Sequence, residues 1–229
     1  MLIDRSSLSR TVDAINDAMF HTRSLGASER TEAARWIAGR HGLPGAYADT
    51  FAGFPNERDK GIVLFTGERI NSASARHILG EEACRVLRLL RVQDKAVTAA
   101  LGGATDGLLR CLDRAAQDPR HTNPGVYCCG KCTVGLWRHL LAGGLDRQEE
   151  RLQRGVAGLR SLRDGDGQWR KYPFWYTVLA LSELDGREAL GELRYAAPVL
   201  KRAVGPPRGA STPYAARRRE LAGRALAKL

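Results

Sequence analysis

The 229-residue sequence has no run of apolar residues approaching the ~20 that a membrane-spanning helix requires. Its first residues, Met1-Leu2-Ile3-Asp4-Arg5, lack the apolar stretch of a secretory leader, so a cytoplasmic protein is expected. Cysteine is sparse and odd in number: Cys84, Cys111, Cys128, Cys129 and Cys132. Without export these five read as reduced thiols, not as a disulfide framework. Lysine is scarce for so basic a chain, six residues against 30 arginines. These absences exclude a membrane channel and a disulfide-stapled mini-protein, and the composition excludes collagen and a coiled coil.

What is present suffices for a packed core. Hydrophobic residues make up 43% and charged residues 27%, a globular balance with room for one large domain or two small ones. The formal net charge is +11. Arginine forks suit phosphates and carboxylates, which points to nucleic acid or a diphosphate. Scattered over solvated helix faces, the same arginines need no ligand; Arg217-Arg218-Arg219 is the only run of three. Both readings stay open at this level.

Apolar spacing predicts helices at about 7–22, 28–41, 72–91, 95–117, 125–142, 146–163, 173–184, 187–204 and 212–227. The one extended stretch is Ile62-Val63-Leu64-Phe65, near 61–67, which could pair with another short segment as a flap. The segment 42–71 is rich in glycine and proline, and Gly205-Pro206-Pro207-Arg208-Gly209 makes a second break. The chain thus divides into an N-terminal helical section over residues 1–71, a helical body 72–204, and a basic C-terminal helix 205–229. The expected fold class is all-α.

Helices of two kinds alternate in the second half. Residues 146–163 place Leu152, Val156 and Leu159 on one face, behind an Asp146/Glu149 pair spaced for a reciprocal N-terminal cap. Residues 173–184 and 126–141 are apolar all round and must be enclosed. Thr133-Val134 recurs as Thr177-Val178, 44 residues on, and Trp137 and Leu140 fall on Leu181 and Leu184. Such a period is one helical hairpin of an array.

The segment from Thr133-Val134-Gly135-Leu136-Trp137 through Asp166-Gly167-Gln168-Trp169 to Tyr176-Thr177-Val178-Leu179 resembles the repeat of the squalene–hopene cyclase and protein prenyltransferase superfamily. The likeness spans mainly 124–184. It implies an α/α toroid, full or partial, in which an Asp-Gly-x-Trp turn joins outer to inner helix. In that scheme Asp166 caps the turn, Gly167 takes positive φ and Trp169 packs the hairpin base. About five 44-residue units fit the chain, so an open arc, covered by a second copy in a homodimer, is one expectation. The acid motif Asp-x-Asp-Asp of the cyclases is absent; the nearest string is Asp164-Gly165-Asp166-Gly167. Of the prenyltransferase zinc ligands only Cys129 is matched, because Tyr127 and Tyr176 stand where Asp and His would be.

The candidate ligand-binding residues are Tyr127, Cys128, Cys129, Cys132, Trp137, Arg138, Trp169, Arg170, Tyr172, Trp175 and Tyr176. Their aromatics would line a hollow for an apolar or anionic small molecule or a protein partner, or would simply fill the core. No cofactor is expected; Cys129 and Cys132 read as core thiols, a redox pair or half a zinc site, and Cys111 or His121 could complete a zinc site only by tertiary contact. His139 is about 10 Å along the helix from Cys132, too far to share an ion. His77 and Glu81, at i and i+4, form either an acid/base or metal-holding face or an ordinary helix-cap region. The functional readings are thus a diverged toroid binding a small molecule or protein, an isoprenoid cyclase or prenyl transferase, or a basic helical module for nucleic acid.

Overall fold

In the computed structural model residues 2–118, 125–205 and 212–229 are described. Within them are ten α-helices and a two-stranded antiparallel ribbon, so the protein is all-α. The helices are α1 (Leu8–Phe20), α2 (Ala27–Ala38), α3 (Pro55–Lys60), α4 (Ser74–Leu90), α5 (Lys95–Gln117), α6 (Gly130–Ala142), α7 (Gln148–Gly158), α8 (Phe174–Glu183), α9 (Arg187–Ala203) and α10 (Pro213–Ala227). The ribbon pairs β1 (Ile62–Val63) with β2 (Arg69–Ile70), Ile62 opposite Ile70. Strand β2 and helix α3 are additions to what periodicity predicts. Helix α3 begins on Pro55, whose missing N–H costs nothing at a helix start.

Two helix starts differ from expectation. The Asp146/Glu149 cap does not form: Arg147 takes the cap position with φ 48°, and Asp146 turns instead to Arg151 at 2.9 Å. Helix α6 starts at Gly130, not at 125, because Cys129 is its N-cap in extended backbone (φ −131°, ψ 170°). At the 164–169 turn the cap is Asp164, whose Oδ1 accepts the N–H groups of Asp166 and Gln168. Gly167 does take positive φ, 88°.

Helices α4, α6 and α8 are buried over most of their circumference, whereas α7 buries only Arg151, Leu152, Gly155 and Val156. The most extensive helix–helix contact is α4 on α6. Its pairings advance in the same sense along both helices, from His77 with Cys132 to Glu82 with Arg138. The guanidinium of Arg138, 2% exposed, donates to both oxygens of Glu183 on α8 at 2.9 Å and also to Glu82. Arg85 donates to Glu183 at 2.9 Å and to Asn16 of α1 at 2.7 Å, and Tyr176 donates to Glu82 at 2.6 Å. One ionic network therefore joins four helices. The chain's first and last helices also meet: Arg217 of α10 pairs with Asp13 and Asp17 of α1, both at 2.9 Å.

Burial pushes Glu82 and Glu183 up, yet the Arg138 charge, then that of Arg85, outweighs it and holds both below the ordinary glutamate value of 4.5. A carboxyl lowered on folding stabilises the protein fully above its unfolded pKa and loses that contribution as pH falls through the folded one. The urea midpoint should therefore drop as pH falls below about 4.5. Arg138→Ala, which leaves Arg85 as the one guanidinium against two buried carboxylates, should cost about 3 kcal/mol at pH 7. Urea titrations across pH 7 to 3 test both statements; a variant as stable as the parent at pH 7 would contradict the second.

Candidate metal centre

Because α6 starts where it does, its first turn gathers thiols. Cys129 is the N-cap and Cys132 sits one turn in, with the two Sγ atoms 3.6 Å apart. Cys128 precedes them in the loop and is exposed; Cys132 is buried. The α4–α6 contact brings in His77, whose Nδ1 lies 3.4 Å from Cys132 Sγ. The donor atoms of His77, Cys128 and Cys132 all fall within 4.8 Å of one another. A tetrahedral zinc site with bonds of about 2.3 Å to sulfur and 2.0–2.1 Å to nitrogen puts its sulfurs about 3.8 Å apart, and sulfur about 3.5 Å from nitrogen. The His77–Cys132 spacing of 3.4 Å is of that size, and Cys128 lies within 4.8 Å of both. Cys129 Sγ also lies 3.3 Å from Ser74 Oγ at the start of α4.

The surrounding packing fixes these donors. Tyr47 stacks on the His77 ring at 3.6 Å between centroids, and the Tyr127 ring lies 6.4 Å from the same imidazole. The loop before Cys128 is held by the Trp137 indole N–H, which donates to Gly125 O at 2.9 Å. Helix α7 crosses there at Gly155, where an added Cβ would stand 2.4 Å from Trp137 Nε1; only glycine allows this approach. Behind the cluster Tyr127 donates to Glu81 Oε1 at 3.3 Å, and the other Glu81 oxygen is 2.6 Å from His139 Nδ1.

Hydrogen bonding among the three thiols separates them. Hydrogen bonds from the Cys128 thiol, then the Cys132 thiol, hold Cys129 far below the usual thiol value, helped by Ser74 and the Cys132 N–H. Cys132 is driven up by its hydrogen bonds to Cys128 and Cys129, and Cys128 by its bond to Cys129. Burial, then the Arg76 charge, lowers His77, so its ring is neutral at neutral pH with a lone pair available.

Of the residues singled out from sequence, Tyr127, Cys128, Cys129 and Cys132 come together here. The rest lie elsewhere. Trp137 is fully buried and stacks on Tyr172 at 5.8 Å. Trp169 stacks on Phe174 at 5.9 Å and donates to Glu192 at 2.7 Å. Trp175 meets Phe174 edge-on, Tyr176 and Arg138 belong to the ionic network, and Arg170 donates to the carbonyls of Arg163 and Ser161. Cys111 is buried on α5 beside Arg114, and His121 lies outside the described residues, as do Asn123 and Pro124. Sequence spacing sets His77 with Glu81; the structure separates them, His77 toward the thiols and Glu81 toward His139. Nothing local in the sequence signals a partner 55 residues away.

Two of the three arginines of the run are engaged within the fold, Arg217 on Asp13 and Asp17 and Arg218 on the carbonyl of Thr66 at 2.6 Å. Among the described residues no helix is long and apolar enough to cross a membrane. No protein-family model, curated protein or solved structure matches the chain.

Burial ranks the thiols. Brief alkylation of metal-stripped native protein with iodoacetamide should label Cys128 and Cys129 and spare Cys84 and Cys132, as read by peptide mass mapping. Equal labelling of all five would contradict the arrangement.

Proposed function

We propose that this chain is a metal-binding helical protein. Its Cys128, Cys132 and His77 hold zinc. The observation that carries this reading is the convergence of two thiols and an imidazole, from a loop, α6 and α4, within 4.8 Å. Thiolate and imidazole donors suit zinc, whereas magnesium and calcium require oxygen ligands that this cluster lacks. Three protein donors leave a fourth position open, and the bound ion would pin the loop before α6 and the start of α6 to α4. This set differs from the zinc triad of the prenyltransferases, whose pattern the chain does not fit: the phenols at the two unmatched positions are engaged by Glu81 and Glu82.

The likeness to the cyclase and prenyltransferase superfamily remains the proposed frame for the scaffold. It is supported by the alternation of enclosed α6 and α8 with one-faced α7 between them. A second reading, capture of a small apolar or anionic molecule, is favoured by a hollow of about 340 Å³. Phe20, Phe65 and Leu179 wall it, and Arg85, Arg138 and Arg224 line it together with Glu183, each of these arginines already facing a carboxylate. The nucleic-acid reading is weakened by the internal use of Arg217 and Arg218.

Protein from zinc-supplemented culture should carry about one zinc per chain by mass-spectrometric metal analysis. Stripping it should lower the thermal midpoint, and re-addition of zinc should restore it. Cobalt in its place should give the thiolate charge-transfer band and intense visible absorption of a tetrahedral site. His77→Ala and Cys132→Ser, checked for helix content by circular dichroism, should lose most of the metal, and Cys84→Ser should not. Zinc no higher in the parent than in Cys132→Ser would overturn the reading.

A further inference from the structure

We propose that Cys129 and Cys132 form a redox-active dithiol that exchanges with small anionic disulfides of the glutathione type, and that closing this pair expels the metal. The expulsion rests on the metal-binding reading above; the dithiol exchange stands on its own geometry.

Three sulfurs are candidates; Cys128 also comes within 4.8 Å of Cys132, but Cys129 and Cys132 have the i, i+3 spacing at one helix start with Sγ atoms in contact. Neighbouring residues joined by a trans peptide have Cα atoms about 3.8 Å apart, short of the roughly 4.4–6.8 Å span that a disulfide bridges. Cys128 with Cys129 is therefore a poor pair. Residues i and i+3 at a helix start are about 5 Å apart and share one face, inside that span. Cys129 and Cys132 stand in this relation, with Sγ atoms already 3.6 Å apart. Their exposures differ in the way exchange chemistry needs. Cys129 is half-exposed at the helix start, and Cys132 is buried behind it. An incoming disulfide reaches the first sulfur, and only the protein's own second sulfur reaches the bond then formed. Arg76, exposed beside His77, and Lys131, between the two cysteines, favour a substrate bearing carboxylates.

The exchange balances without another reactant. Cys129 sulfur attacks one sulfur of R–S–S–R, that bond breaks, and RS⁻ leaves as the Cys129–S–S–R bond forms. Cys132 sulfur then attacks Cys129 sulfur and releases the second RS⁻. Two electrons pass from the protein dithiol to the substrate, and the two thiol protons end on two RSH. The closed pair no longer offers thiolates. Of the three donors only Cys128 and His77 remain, too few to hold the ion, which leaves.

The test uses the full chain, first assayed for zinc and then treated with oxidised glutathione. Peptide mapping should find a Cys129–Cys132 disulfide. Zinc, followed with a chromogenic chelator, should appear in step with it, and dithiothreitol with added zinc should reverse both. Cys132→Ser should stop at a glutathione adduct on Cys129, whereas Cys84→Ser and Cys111→Ser should behave as the parent. A protein that carries no zinc at the outset but still closes this pair would refute the metal reading and keep the dithiol. Thiols unmodified under excess oxidant, or a disulfide through Cys128 or between chains, would overturn the dithiol proposal whatever the zinc content.

Discussion

A buried guanidinium sets the architecture. Arg138 has almost no access to water, and an uncompensated charge so placed costs several kcal/mol. It is tolerable only if Glu82 of α4 and Glu183 of α8 are opposite it together, which locks α6 against both helices in one register. Apolar ridges alone accept sliding by a turn; a paired ion does not. The register then determines what meets farther along the same contact. His77 precedes Glu82 by five residues and Cys132 precedes Arg138 by six, offsets of about 7.5 and 9 Å along the two axes at 1.5 Å per residue. The imidazole and the thiol arrive side by side because the carboxylate and the guanidinium do.

The loop that carries Cys128 is held by a second constraint of a different kind. Trp137 fills the space between α6 and α7, and its N–H finds the carbonyl of Gly125. Glycine at 155 lets α7 close over it. A large aromatic residue thus converts core packing into the placement of a surface loop, and three sulfurs end at one helix start. The same economy governs the basic composition. Many of the arginines that raise the net charge to +11 close the fold rather than face a ligand: Arg138 and Arg85 at the centre, Arg151 on Asp146, Arg163 on Glu192, Arg217 on α1.

Periodicity makes the helices legible, because it reports which face of each is dry. The enclosed character of α6 and α8 and the single wet face of α7 follow from that signal, and so does the extended stretch at Ile62. What periodicity does not encode is the partner. His77 looks like half of a local pair with Glu81, yet each is drawn off by a different contact on α6. Helix ends are less legible for a related reason. Asp146 has the chemistry of a cap, but Arg151, five residues on, offers it a charged partner, and Arg147 takes the cap position in its place. The three neighbouring cysteines are visible as chemistry in the sequence. Their missing imidazole is not, since only the long-range contact between α4 and α6 supplies it.

What stands or falls first is whether the α4–α6 contact assembles a sulfur-and-imidazole cage for one ion. X-ray absorption at the zinc edge addresses this most directly, since it reads the identity and distance of the atoms around the metal. The expected spectrum has a sulfur shell at about 2.3 Å with an imidazole nitrogen at about 2.0–2.1 Å, and loses the imidazole scattering in His77→Ala. A shell made only of oxygen and nitrogen, or an imidazole signal unchanged by that substitution, would contradict the cage.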